Sequence, residues 1–240
     1  MENKQPILDL ENEWDIIPLN FEVDVPLLVK WYEEIERKFN DLWFDFSKSE
    51  YVIEKYHPEN VDSANFDGHG SGDHLRNLMK AIFNTGTRIS YMALAWPCEK
   101  DIPCPPSWAA KPKLYPEINE EHEYKLQEKF MFGYFKELYE IDSSFFKKAQ
   151  IIKHDPHACL TQHIDGPGIV RIHIPIITNE ECKFQFGEKL EREYHLSPGR
   201  AYLVNASIPH GTINGDSARV HLQTKTDTFK LIRLAYTRYL

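Results

Sequence analysis

Gln162-His163-Ile164-Asp165-Gly166 is the stretch from which the rest of the chain can be read. A histidine and an aspartate two apart on an extended segment point to the same face, because strand side chains alternate with period two. One imidazole and one carboxylate side by side make two thirds of a facial 2-His-1-carboxylate site, the arrangement that holds non-haem Fe(II) and leaves three coordination positions open. The third ligand would be a distant histidine on a neighbouring strand. His210 in Ile208-Pro209-His210-Gly211 is placed to supply it. Alone, a His-x-Asp tripeptide is weak evidence, since most such pairs are surface polar residues.

The surroundings of that stretch are β-like. From Ser143 to about Asp227, short apolar runs are divided by Pro, Gly, Asn and Asp. The expected strands are Lys147–His154, Ala158–Asp165, Ile169–Ile177, Lys183–Phe186, Glu191–His195, Ala201–Val204 and Arg219–Thr226. Short strands in quick succession predict an antiparallel sandwich or barrel. Two of these strands are patterned unusually. In Ile169–Ile176 the even positions Val170, Ile172, Ile174 and Ile176 are all aliphatic, whereas Arg171 and His173 share the odd face; in Ala218–Gln223, Arg219, His221 and Gln223 share one face against Val220 and Leu222. A solvated polar face is the ordinary reading of such alternation. Lys and Glu are the usual exposed choices, however, while Arg and His suit recognition of carboxylates.

The N-terminal half is less regular. Residues 1–20 read as an extended lead-in. Between Val25 and Asp45, Leu27, Leu28, Trp31, Tyr32, Ile35, Phe39, Leu42 and Trp43 recur at three- and four-residue steps, which predicts an amphipathic helix with its aromatic stripe in the core. Pro26 is acceptable in the first turn. The glycine-rich segment 67–73 lacks the strand–GxGxxG–helix context of a dinucleotide site. Asp73 is a candidate cap for a helix over Leu75–Phe83, and Tyr91–Trp96 is a short candidate strand. Six prolines between Pro97 and Pro116 exclude regular helix or central strand there and leave a lid or a plain surface excursion. Glu117–Ile141 returns to helical periodicity, slightly weakened by Gly133. Phe229–Leu240 could be a terminal helix or strand. One domain is expected: mixed helical support over 1–146, the β core over 147–227, and a tail over 228–240.

Composition narrows the function classes. With 28 basic against 37 acidic residues the net charge is −9, which argues against a nucleic-acid partner. Cys98, Cys104, Cys159 and Cys182 show no metal or disulfide spacing and read as reduced thiols in a cytoplasm. No secretory pattern opens the sequence and no run of about 18 apolar residues occurs, so a soluble cytoplasmic protein without a membrane span is expected. The mean hydropathy of −0.51 agrees.

Taken together, the residues carry a family resemblance. His163-x-Asp165, Arg171-x-His173-x-Pro175 with Thr178-Asn179 and Phe184, Leu196-x-x-Gly199 with Tyr202 and Asn205, His210-x-x-x-Asn214 and Arg219 follow one another in an order and spacing that resemble the aspartyl/asparaginyl β-hydroxylase family. That family belongs to the 2-oxoglutarate- and Fe(II)-dependent oxygenases and includes bacterial proline-hydroxylase-like enzymes. The match covers about residues 147–227.

The resemblance implies a mainly β protein with flanking helices around a double-stranded β-helix, the jelly-roll or cupin-like core. It implies His163, Asp165 and His210 as metal ligands, Arg219 on the far carboxylate of 2-oxoglutarate, and Arg171 and His173 beside the cosubstrate or substrate. Fe(II), 2-oxoglutarate and O2 are then the expected cofactors. The activity would be hydroxylation of an amino acid, free or in a peptide or protein, with no catalytic side chain beyond the metal ligands. Some relatives lack the carboxylate ligand, which this chain retains, and Pro156-His157-Ala158 stands where relatives more often carry a glycine turn. Arg171 has a second reading, as the partner that neutralises Asp165. Two alternatives stay open: a non-catalytic cupin-like module binding a metal or carboxylate, with His154, His157 and His163 as a possible Zn or Mn set, and an oxygenase acting on another small molecule or a lipid. Nothing in the residues names the substrate or the oligomeric state.

Overall fold

The computed structural model describes residues 14–45, 89–97, 124–146, 148–165 and 169–225. The chain enters as strand β1, Ile16–Glu22, followed by helix α1, Val25–Lys38. Asp24 caps the helix by accepting from the Leu27 amide at 3.1 Å, and Pro26 sits in the first turn, where a missing N–H costs nothing. Leu28, Trp31, Tyr32 and Ile35 form its buried stripe. The helix is shorter than its apolar periodicity predicts. It stops at Lys38; a 3-10 turn, Asn40–Leu42, and strand β2, Phe44–Asp45, complete the segment.

The expected strand at Tyr91–Trp96 is two strands, β3 (Ile89–Ala93) and β4 (Ala95–Pro97). The helix expected from Glu117 is also revised. Tyr124–Leu126 is strand β5, paired with β4, and only Gly133–Ile141 is helical, as α2. The Leu75–Phe83 helix, the glycine segment 67–73, the proline-rich stretch beyond Pro97 and the 229–240 terminus lie outside the described residues.

Eight further strands follow: β6 Gln150–His154, β7 Cys159–His163, β8 Val170–Ile177, β9 Lys183–Phe186, β10 Arg192–Tyr194, β11 Arg200–Asn205, β12 His210–Ile213 and β13 Arg219–Lys225. All their pairings are antiparallel. β6, β8, β11 and β13 fall in one sheet, ordered β11-β8-β13-β6; β7, β9, β10 and β12 fall in the other, ordered β10-β9-β12-β7. The chain thus alternates between sheets as it winds, pausing only at the β9–β10 hairpin. That is a double-stranded β-helix, as the sequence led one to expect. The N-terminal strands extend the large sheet at both edges, β1 beside β11 and β3 then β2 beyond β6.

The period-two patterning decides what each face does. On β8, Ile172, Ile174 and Ile176 join Val220 and Leu222 of β13 in the main core with Leu28, Trp31, Ile35, Phe135 and Leu138. Trp31 stacks on Phe135 at 4.6 Å between centroids, which ties α1 to α2 over this outer face. Each such buried side chain contributes roughly 1.5–3 kcal/mol. The opposite face of the large sheet carries the polar residues and looks across at Phe184 and Phe186 of the small sheet. The helices therefore hold the sheet rigid from behind while leaving the interior free for chemistry.

Strand β12 shows how tightly that interior is built. Gly211 lies between His210 and Thr212, where β12 meets β7, and a Cβ there would stand 2.7 Å from the Leu160 carbonyl oxygen. Backbone cannot yield as a flexible side chain can. Gly211→Ala is expected to destabilise by about 1–3 kcal/mol, the usual cost of overpacking. Its melting temperature against wild type is the check, and an unchanged value would show that the two strands have slack.

Candidate active site

His163 ends β7 and His210 begins β12, and the two are directly paired across the small sheet. Their rings lie 4.2 Å apart between centroids. Both are buried, so neither is a surface residue. His210 therefore occupies a strand that the sequence reading left out. Asp165, which the predicted strand Ala158–Asp165 included, lies just beyond the end of β7, and its amide donates to the Ala206 carbonyl at 2.9 Å. Its Oδ1 stands 3.6 Å from His163 Nε2. One ligand atom from each of His163, Asp165 and His210 falls within 4.8 Å of the others.

The imidazoles are oriented from behind. His163 Nδ1 is 2.8 Å from the Thr161 carbonyl, and His210 Nδ1 is 2.9 Å from the Ile208 carbonyl. A carbonyl oxygen only accepts, so both rings carry their proton on Nδ1 and present the Nε2 lone pair. Burial, reinforced by His163, pushes His210 down to about 4, which keeps its lone pair available at neutral pH.

Asp165 is held from its other oxygen. Arg171 Nε and Nη2 approach Oδ2 at 2.9 and 2.8 Å. Burial pushes the carboxyl up, but the guanidinium and the neighbouring imidazoles outweigh it, and Asp165 stays well below the usual carboxylate range. The neutralising role for Arg171 is thus what its contacts display. Two imidazole lone pairs and one ionised carboxylate oxygen form a three-sided nitrogen and oxygen donor set that fits a divalent first-row metal.

Arg219 sits deeper. It is 4 % exposed, its Nη2 lies 2.8 Å from His154 Nδ1, and its guanidinium stands 4.9 Å from the centre of the Phe184 ring. Burial lowers it to about 10, so it remains a cation. His173 makes no hydrogen bond to His163, Asp165 or His210. Its Nδ1 is 3.3 Å from His221 Nδ1 and its Nε2 3.0 Å from Gln223 Nε2. The alternative histidine set is dispersed: His154 is engaged by Arg219, and His157 is exposed beside Asp216. Thr212 and Phe184 line this interior but had no role assigned from the sequence, and His154 was named there only in the alternative metal set, although the alternation of Gln150, Ile152 and His154 already puts three side chains on one face.

These interior imidazoles have a consequence for stability. Burial first, then Arg219, pushes His154 and His221 far below 6.5. They stay neutral in the fold while the unfolded chain protonates as pH falls through 6.5. Stability present above that pH is therefore lost below it, by up to about 1.4 kcal/mol per pH unit for each histidine. Urea unfolding at pH 7.5 and 5.5 should show the drop, and His154→Gln should reduce it. A slope identical in the variant would remove His154 from the account.

Residues 131–227 match the family model of aspartyl/asparaginyl beta-hydroxylase. The resemblance read from the sequence is borne out over that stretch. No curated protein matches the chain. Among solved structures, a Pseudomonas putida prolyl-4-hydroxylase is similar at 8% identity and TM-score 0.37, covering 87% of this chain and 90% of that one. An oxidoreductase of the 2OG-Fe(II) oxygenase family from Burkholderia pseudomallei is similar at 10% identity and TM-score 0.32, over 59% and 70%. A cupin domain from Bordetella pertussis Tohama I gives 16% identity and TM-score 0.28, over 33% of this chain and 81% of that one. Among the described residues no helix is long and apolar enough to cross a membrane.

Proposed function

We propose that the chain is a 2-oxoglutarate- and Fe(II)-dependent dioxygenase that hydroxylates an amino acid, free or within a peptide or protein. The observation that carries this reading is the pair of imidazoles whose Nδ1 protons are tied to carbonyls, with the Asp165 carboxylate beside their lone pairs. His163, Asp165 and His210 would hold the metal. Fe(II), with 2-oxoglutarate and O2, would supply the oxidising chemistry, in which the oxoacid loses CO2 and takes up one oxygen atom to leave as succinate while the other oxygen atom enters a substrate C–H bond.

The chain's own residues bind and orient. Arg171 keeps Asp165 ionised and fixes which oxygen it offers. Arg219 grips the far carboxylate of the oxoacid, and Phe184 and Phe186 wall the interior against water. Recognition of a substrate carboxylate by Arg171 comes second to its work on Asp165. We take the whole chain as one domain, and the free thiols of Cys159 and Cys182 support a reducing compartment such as the cytoplasm.

The test is a screen of free amino acids and peptides for substrate-dependent succinate formation by the Fe(II)-loaded protein. Turnover of 2-oxoglutarate that rises with one substrate class is the expected result. Binding of metal and oxoacid with no turnover on any substrate would favour the non-catalytic module instead.

A further inference from the structure

Four buried side-chain polar atoms lack a hydrogen-bond partner among the described residues: Thr212 Oγ1, Asn214 Oδ1, Arg219 Nη1 and His221 Nε2. A buried polar atom left unpaired is costly, so a cluster of them marks a place where a ligand completes the bonding. Asn214 uses its amide on the His154 and Asp155 carbonyls and leaves only an acceptor. The other three can all be donors, and they border one phenyl ring. Arg219 lies 4.9 Å from the Phe184 centroid, and His221 stacks on Phe184 at 5.9 Å. Thr212 pairs directly opposite Phe184 on β9 and so shares its face.

Whether His221 Nε2 donates depends on its tautomer, and a chain of hydrogen bonds sets it. Gln150 Nε2 donates to Gln223 Oε1 at 2.6 Å. Gln223 is thereby oriented with its amide nitrogen toward His173 Nε2, 3.0 Å away, so that ring nitrogen accepts. A neutral imidazole with Nε2 accepting carries its proton on Nδ1. His173 Nδ1 then donates to His221 Nδ1 at 3.3 Å, and the His221 proton is left on Nε2. Burial and Arg219 keep both rings neutral, which the relay requires.

We propose that His221 Nε2–H and the Thr212 hydroxyl join Arg219 Nη1 in holding the far carboxylate of the oxoacid. His173 is then a positioning residue, acting on the ligand only through the tautomer of His221. Arg219 commits one N–H of Nη2 to His154, which limits the fork it can offer a carboxylate, and the two extra donors add to the unpaired Nη1. This inference rests on the oxoacid reading above and deepens it.

The experiment compares 2-oxoglutarate with 2-oxopentanoate, which has the same chain length but no far carboxylate, by calorimetry on the Mn(II)-loaded protein without oxygen. Wild type should prefer the dicarboxylate. His221→Leu should lower 2-oxoglutarate affinity tenfold or more and leave 2-oxopentanoate unchanged, which also shows that the variant is folded. His221→Gln, which returns an N–H at the Nε2 position, should recover most of the loss. Thr212→Val should cost several-fold in the same selective way. His173→Phe should weaken 2-oxoglutarate and move the His221 nitrogen-15 signals away from the Nε2–H tautomer, while His173→Asn should retain both. Unchanged 2-oxoglutarate affinity in His221→Leu, an equal loss for both oxoacids, or an Nδ1–H tautomer at His221 in wild type would overturn the assignment. A wild-type protein that binds metal but shows no preference for the dicarboxylate would instead overturn the oxoacid reading, and this inference with it.

Discussion

His163→Ala and His210→Ala should each leave a protein that folds but neither retains Fe(II) on dialysis nor turns over 2-oxoglutarate above background. Each change removes one of three donors converging within 4.8 Å. The surviving pair cannot close a three-sided face on the ion. Loss of an outer-shell partner alone typically costs about 10–100-fold in metal affinity or activity, so loss of a direct ligand sets a larger expectation. The fold should tolerate the change because both rings face the interior of the small sheet, while the main core lies on the far side of the large sheet. Asp165→Ala should be severe but less complete: it leaves both imidazoles in place, while freeing the Arg171 guanidinium that now engages Oδ2. Metal content by elemental analysis and succinate formation are the two readouts. Full activity in either histidine variant would remove the metal assignment.

How much of this was legible beforehand follows from which interactions are local. Strand faces could be read from alternation alone, and β8 and β13 have the arrangement that Arg171, His173, Arg219 and His221 suggested. Strand β12 could not. His210-Gly211-Thr212-Ile213 follows a proline and precedes Asn214-Gly215, so every local signal says turn. Its glycine is there because the Leu160 carbonyl comes too close for a Cβ, a fact about a neighbour 51 positions earlier. The helix over Glu117–Ile141 was overread for the mirror-image reason: Tyr124–Leu126 is extended by pairing with β4, which no periodicity encodes. α1 gave no Gly or Pro to announce its end. Within the site, the His163–Asp165 spacing was visible, but the bond from Arg219 to His154 depends on strand register across 65 residues. The Gln150–Gln223–His173–His221 chain is hidden in the same way.

Arg219→Ala should act through binding rather than through the metal. Its guanidinium is a buried cation with one nitrogen unpaired, and no carboxylate among the described residues reaches it. Such a charge calls for an anion, and a dicarboxylic oxoacid provides one. Removing one partner of a desolvated charge pair costs roughly 2–5 kcal/mol. At about 1.4 kcal/mol per tenfold, the apparent affinity for 2-oxoglutarate should fall by roughly thirty-fold at the least. Fe(II) content should hold, because Arg219 makes no hydrogen bond or ion pair to His163, Asp165 or His210. Arg219→Lys should recover only part of the loss. An ammonium keeps the charge but cannot donate to His154 and to a carboxylate with the geometry of a planar fork. The pattern across the two variants separates charge from shape. Equal rescue by lysine would make Arg219 a simple counter-ion, and an unchanged affinity in Arg219→Ala would place the far carboxylate elsewhere in the interior.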